Sequence, residues 1–163
     1  LLPPWLSEHP RDPAERLSLP TDLRQEKDTS GANAQYEAVL ELAPDNVTAL
    51  NTLAWTLRLE DRSRALEYIR RAAQVAPERA EVLDTLAVIE NLNGEHRRAY
   101  RNIQRSLAAA PGNPTMCYHQ ALIDSALGEK DQALATLQEL LDGSAAAFPE
   151  RAEAEALLEN LVP

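Results

Sequence analysis

Four prolines recur at nearly constant spacing: Pro10, Pro44, Pro77 and Pro111 stand 34, 33 and 34 residues apart. Three of them sit between an Ala/Leu-rich run and a turn pair, in "LELAPDN", "AQVAPER" and "LAAAPGN", and "LSEHPRD" is a rougher copy. A fixed period of this size marks a chain built by stacking one supersecondary unit on itself, and it constrains the fold more than any local motif. With the prolines in register, a helical stretch precedes each of the last three: "ANAQYEAVLELA", "RSRALEYIRRAAQVA" and "EHRRAYRNIQRSLAAA". Another follows: "NVTALNTLAWTLRLE", "RAEVLDTLAVIENLN" and "NPTMCYHQALIDSALG". In the first of these, Ala49, Leu50, Leu53, Ala54 and Leu57 share one face of a helix with about 3.6 residues per turn. Each proline therefore ends one helix and starts the next.

Within a unit, the turn between helices carries Gly94 in "NLNGEH" and Gly128 in "ALGEKD". A residue just past a helix C-terminus favours the left-handed conformation that glycine tolerates. A small residue follows five positions later, Ala99 or Ala133, and lets the second helix lie close to the first. Hydrophobic residues make up 44% of the chain but aromatics only 4%, so the core must be Leu, Ala, Val and Ile; with few glycines, this argues an all-α fold.

The pattern resembles the tetratricopeptide repeat, a 34-residue helix–turn–helix with Ala or Gly at its eighth position, Ala at the twentieth and Pro at the thirty-second. Ala54, Ala87 and Ala121 take the eighth position when Pro44, Pro77 and Pro111 are matched to the family's proline. The resemblance implies an all-α, right-handed superhelical solenoid of antiparallel helix pairs, with three to four repeats and a C-terminal cap. Full repeats are expected over 45–77, 78–111 and 112–142, with one deletion in the glycine-free turn "LEDRSR". Residues 13–44 form a degenerate unit, because Pro20 falls at its eighth position and an interior proline costs about 3 kcal/mol of helix stability. That helix is expected to break near Leu19, and residues 1–12 to be the remnant of a preceding helix. Residues 149–163 are expected to close the array, with Ala154, Leu157, Leu158 and Leu161 covering the last apolar face.

The chemistry is sparse. No Gly-rich phosphate loop, nucleophile elbow or metal cluster is present, so no enzyme, cofactor or metal is expected. Cys117 and His119 lie two apart on a helix and diverge; Cys117 is expected to be a buried, inert thiol and His119 a packed or surface side chain. A net charge of −10 and a pI near 4.8 oppose nucleic-acid binding. The charge is uneven: Arg58 to Arg105 is net +2, and Ser106 to Pro163 is net −7, which reads as solvated helix faces. No apolar run reaches the ~20 residues of a membrane helix. The opening "LLPPWL", without Met, reads as a piece of a longer protein.

Binding is the positive expectation. The repeat resemblance implies a concave groove lined by first helices, at positions 2, 5, 9, 12 and 13 of each unit. These are Thr48, Asn51, Trp55, Arg58 and Leu59; then Glu81, Asp84, Val88, Asn91 and Leu92; then Thr115, Tyr118, Leu122, Ser125 and Ala126. Glu81 and Asp84 make an acidic patch, so the expected occupant is a partner protein or peptide with apolar anchors and a basic residue. The bland alternative has Trp55 and Leu92 serving packing, and the module acting as a spacer or self-association element. The acidic centre and the absence of lysine disfavour capture of a C-terminal carboxylate.

A closer resemblance runs through "ALNTLAW", "EVLDTLA", "YHQALIDSALGEKDQAL" and "FPERAEAEALLENL". In order and in their cap, these are similar to the C-terminal part of the large tetratricopeptide protein of bacterial exosortase/PEP-CTERM sorting systems. Val88, Glu90, Gln120 and Pro20 depart from it. The resemblance implies a role in exopolysaccharide or surface-protein export, with an extracytoplasmic, periplasmic or outer-membrane-associated location; a cytoplasmic one is the alternative.

Overall fold

The computed structural model describes residues 29–142 and 148–162. The break at Pro20 and the remnant at 1–12 lie outside them. The described residues form eight α-helices: α1 (Thr29–Leu42), α2 (Val47–Leu57), α3 (Arg62–Val75), α4 (Ala80–Leu92), α5 (His96–Ala109), α6 (Pro114–Leu127), α7 (Lys130–Asp142) and α8 (Arg151–Leu161). They divide into two compact units at Ala76/Pro77, so α1–α3 belong to the first and α4–α8 to the second. In both, helices adjacent in sequence pack as pairs; in the second, first helices α4 and α6 also touch.

Local chemistry explains the boundaries. After Pro44 and Pro111 a turn asparagine supplies the cap: Asn46 Oδ1 accepts from Ala49 N–H at 2.9 Å, and Asn113 Oδ1 from Met116 N–H at 3.2 Å; after Pro77, Arg79 stands at the N-cap with no side-chain cap bond. Such caps satisfy N–H groups that the helix itself leaves open. Pro114 occupies the first turn of α6, where a missing N–H costs nothing. Gly128 ends α6 at φ +83°, and Glu129 N–H returns to Asp124 C=O at 2.9 Å, closing the helix with a left-handed turn. The glycine-free turn after α2 avoids that geometry: Arg58 stays right-handed at φ −55°, and Asp61 caps α3 through Arg64 N–H.

The small residues sit at the closest approaches. Ala54 and Ala65 in the first unit, and Ala87, Ala99, Ala121 and Ala133 in the second, are all fully buried. Around them Tyr36, Val39, Ala49 and Leu53 form one core; Ile103, Met116 and Ile123 form another with Ala87 and Ala99. The end of the array is closed by Tyr118, Leu137, Leu140, Phe148 and Ala154, with Leu157, Leu158 and Leu161 packed against them.

The prolines also act as hydrogen-bond acceptors. Arg71 Nη2 on α3 reaches Pro44 C=O at 2.8 Å, and one repeat later Arg105 Nη2 on α5 reaches Pro77 C=O at 2.8 Å and Glu78 at 2.7 Å. Each of these two second helices, α3 and α5, is thus clasped to the turn that opens its own repeat. Arg105→Met should lower the stability of the second unit by about 1 kcal/mol, since the lost bonds are exposed and charge-assisted. Urea unfolding checks this; an unchanged midpoint would show that the clasp is fully replaced by water.

Candidate functional site

In the first unit, the expected binding residues share one face of α2. Thr48 is exposed; Asn51, Trp55 and Arg58 are half-buried; Leu59 is exposed just beyond the helix. Arg58 folds back along α2 so that its Cζ lies 3.8 Å from the Trp55 ring centroid. Its Nη1 donates to Trp55 C=O at 2.6 Å. A cation on an indole face is electrostatically favoured, and here one backbone bond fixes the guanidinium in that place. Burial pulls the Arg58 pKa down. One turn away, Asn51 Oδ1 is shielded from solvent and has no hydrogen-bond partner among the described residues.

In the second unit the expected face is largely committed to packing. Asp84 is buried, and its Oδ1 lies 2.8 Å from His119 Nδ1, which is buried too. This pair bridges first helices α4 and α6. The acidic patch is accordingly reduced to Glu81, which is exposed and paired with Arg79 at 3.2 Å. Asn91 bonds to His96 at 2.7 Å, while Val88 and Leu92 are half-buried. Tyr118 and Leu122 pack into the closing core with Phe148 and α8, where burial, then Glu153 and Glu150, raise the Tyr118 pKa. Thr115 donates to Glu150 at 2.9 Å, Ser125 is half-buried, and Ala126 is exposed.

Cys117 is half-buried rather than fully enclosed. It borders a cavity of about 480 Å³ shared with Gln120, Thr136 and Glu139. Burial, then the Glu139 charge, pushes its thiol up, so it is a weak nucleophile. Among the described residues no cluster of His, Cys, Asp and Glu could hold a metal. No helix there is long and apolar enough to cross a membrane.

Two buried acids, Glu90 and Asp124, stand one repeat apart. Glu90 accepts from Asn102 Nδ2 at 2.7 Å and lies 3.5 Å from Arg98 Nε. Asp124, its equivalent 34 residues on, is fully buried, and neither carboxylate oxygen has a partner of hydrogen-bond geometry among the described residues. Burial raises its pKa, the Gln120 amide opposes this, and the Glu129 charge adds to it. The signal was present as an acid at the same place in successive repeats.

No protein-family model and no curated protein matches the chain. Solved structures do. A thermophilic tetratricopeptide-repeat protein of Thermus thermophilus matches with TM-score 0.75 and 22% identity, over 94% of this chain and 85% of that one. The MamA protein matches with TM-score 0.67 and 22% identity, over 92% and 86%. YrrB, described as a repeat protein with an unusual peptide-binding site, matches with TM-score 0.70 and 16% identity, over 96% and 79%. The fold is the tetratricopeptide-repeat fold: all-α, with helices packed as sequential pairs.

Proposed function

We propose that the chain is a non-catalytic interaction scaffold that takes a peptide or extended partner segment on its first-helix faces. The observation that carries this is the α2 face, where a large aromatic, Trp55, is only half-buried beside Thr48, Asn51 and Arg58. Indole and guanidinium anchors of this kind supply most of the energy in protein interfaces. Glu81, Val88 and Asn91 offer a more weakly equipped face on α4. YrrB, with the same fold, is a precedent for peptide binding.

Peptides selected from a random display library should protect α2 amides from hydrogen exchange. Trp55→Ala should weaken them at least about tenfold without loss of helicity, as truncating an interface hot spot does. Protection confined to the second helices α3 and α5 would sink the proposal. The resemblance to the exosortase-associated family supports a partner in surface export; fractionation finding the full-length protein only in the cytoplasm would count against that.

A second reading, an architectural spacer, draws support from the second unit. There Tyr118, Leu122 and Asp84 are engaged within the fold.

A further inference from the structure

The groove charges, read along the sequence, ask for a basic partner; the placed side chains ask for the opposite. Asp84 is buried against His119, and Glu81 is paired with Arg79. Neither offers an unmet negative charge. The unmet charge on the expected binding residues is Arg58. Its contacts are the Trp55 ring and the Trp55 carbonyl, and no carboxylate pairs with it among the described residues. By contrast Arg64, in the same unit, meets Glu37 at 2.6 Å.

Among the described residues this half-buried guanidinium has no counter-ion. Desolvation of a charge is unfavourable until an opposite charge or a full set of acceptors meets it. The lowered Arg58 pKa is the same cost seen as a proton equilibrium, since burial is its sole cause. The group is also pre-positioned. Stacking on the indole and the bond from Nη1 fix the plane of the fork, while its remaining N–H groups are available to an incoming acceptor. Planar, bidentate geometry of this kind matches a carboxylate.

We infer that the α2 face recognises an acidic peptide segment, with a side-chain carboxylate on Arg58 where its guanidinium lies over Trp55. An apolar side chain beside that carboxylate would lie along Trp55. The inference rests on the binding function proposed above and adds the sign and class of the ligand.

The test is calorimetric titration of the full chain with three acetylated, amidated octapeptides: alternating Glu–Leu, Gln–Leu and Lys–Leu. The Glu–Leu peptide should bind at least about tenfold more tightly than Gln–Leu, the size expected for a charge-assisted bidentate contact. Lys–Leu should be the weakest. Arg58→Met should erase the Glu-over-Gln preference while retaining Gln–Leu binding. Arg58→Lys, which keeps charge but not the flat fork, should fall between, and it decides the matter should the Met variant lose helicity. Equal binding of Glu–Leu and Gln–Leu, both lost in Trp55→Ala, would overturn the acidic ligand and leave the binding face standing. A preference for Lys–Leu, an unchanged preference in both Arg58 variants, or no binding of Glu–Leu would also overturn it.

Discussion

His119→Leu should destabilise the second unit by about 3 kcal/mol or more. Removing the imidazole strands the Asp84 carboxylate between α4 and α6, where it is 7% exposed and loses its 2.8 Å partner. Breaking one side of a buried polar pair is costly because the surviving group keeps its desolvation penalty. The double variant Asp84→Leu/His119→Leu should recover most of the loss, since two apolar side chains have no such penalty. A double-mutant cycle by urea denaturation measures the coupling. If the double variant is as unstable as the single one, the cost lies in packing volume and not in the stranded charge. Hydrogen exchange should show the loss in α4 and α6 first, because the pair ties those two helices.

Asp124→Asn should act in the opposite direction, stabilising the second unit at neutral pH by about 1 kcal/mol, because the amide stays polar but carries no charge to desolvate. The pH dependence carries the sign. The folded-state pKa of Asp124 is raised above its ordinary value of 3.8, so the folded chain holds its proton more tightly than the unfolded chain. Stability contributed by that proton is present at low pH. It is lost as pH rises from near 3.8 to the raised folded value, and stays lost above it. The gain from Asp124→Asn should therefore be largest at about pH 7 and shrink toward about pH 4. Denaturation midpoints of both proteins across that range decide it. A gain that is constant with pH would mean that Asp124 titrates normally in the fold.

Glu90 shows why Asp124 is exposed to this penalty. At the equivalent position one repeat earlier, the longer side chain reaches Asn102 and approaches Arg98 on α5. The corresponding positions on α7, 34 residues on, are Gln132 and Thr136, which bring no cation. A shorter acid in a poorer setting is left to burial. Both acids were visible in the sequence, yet nothing in the chain order says which has a partner.

The proposed binding face shows the same division. Thr48, Asn51, Trp55 and Arg58 could be placed together on one helix face from the repeat register alone, because helical periodicity is a property of sequence spacing. The role of each charge could not. Asp84 looked like a groove acid until α6 set His119 against it. Arg58 looked like one of ten arginines between Arg58 and Arg105 until its side chain was found on Trp55.

The sequence by itself determined the helices, their turns and their pairing. Those depend on short-range terms: proline's missing N–H, asparagine caps, glycine at positive φ, and alanine where helices approach. Only the tertiary structure decided which charges are spent and which are open. Electrostatic pairing is settled by distances between side chains far apart in the chain, such as Asp84 and His119, and by how far each is removed from water.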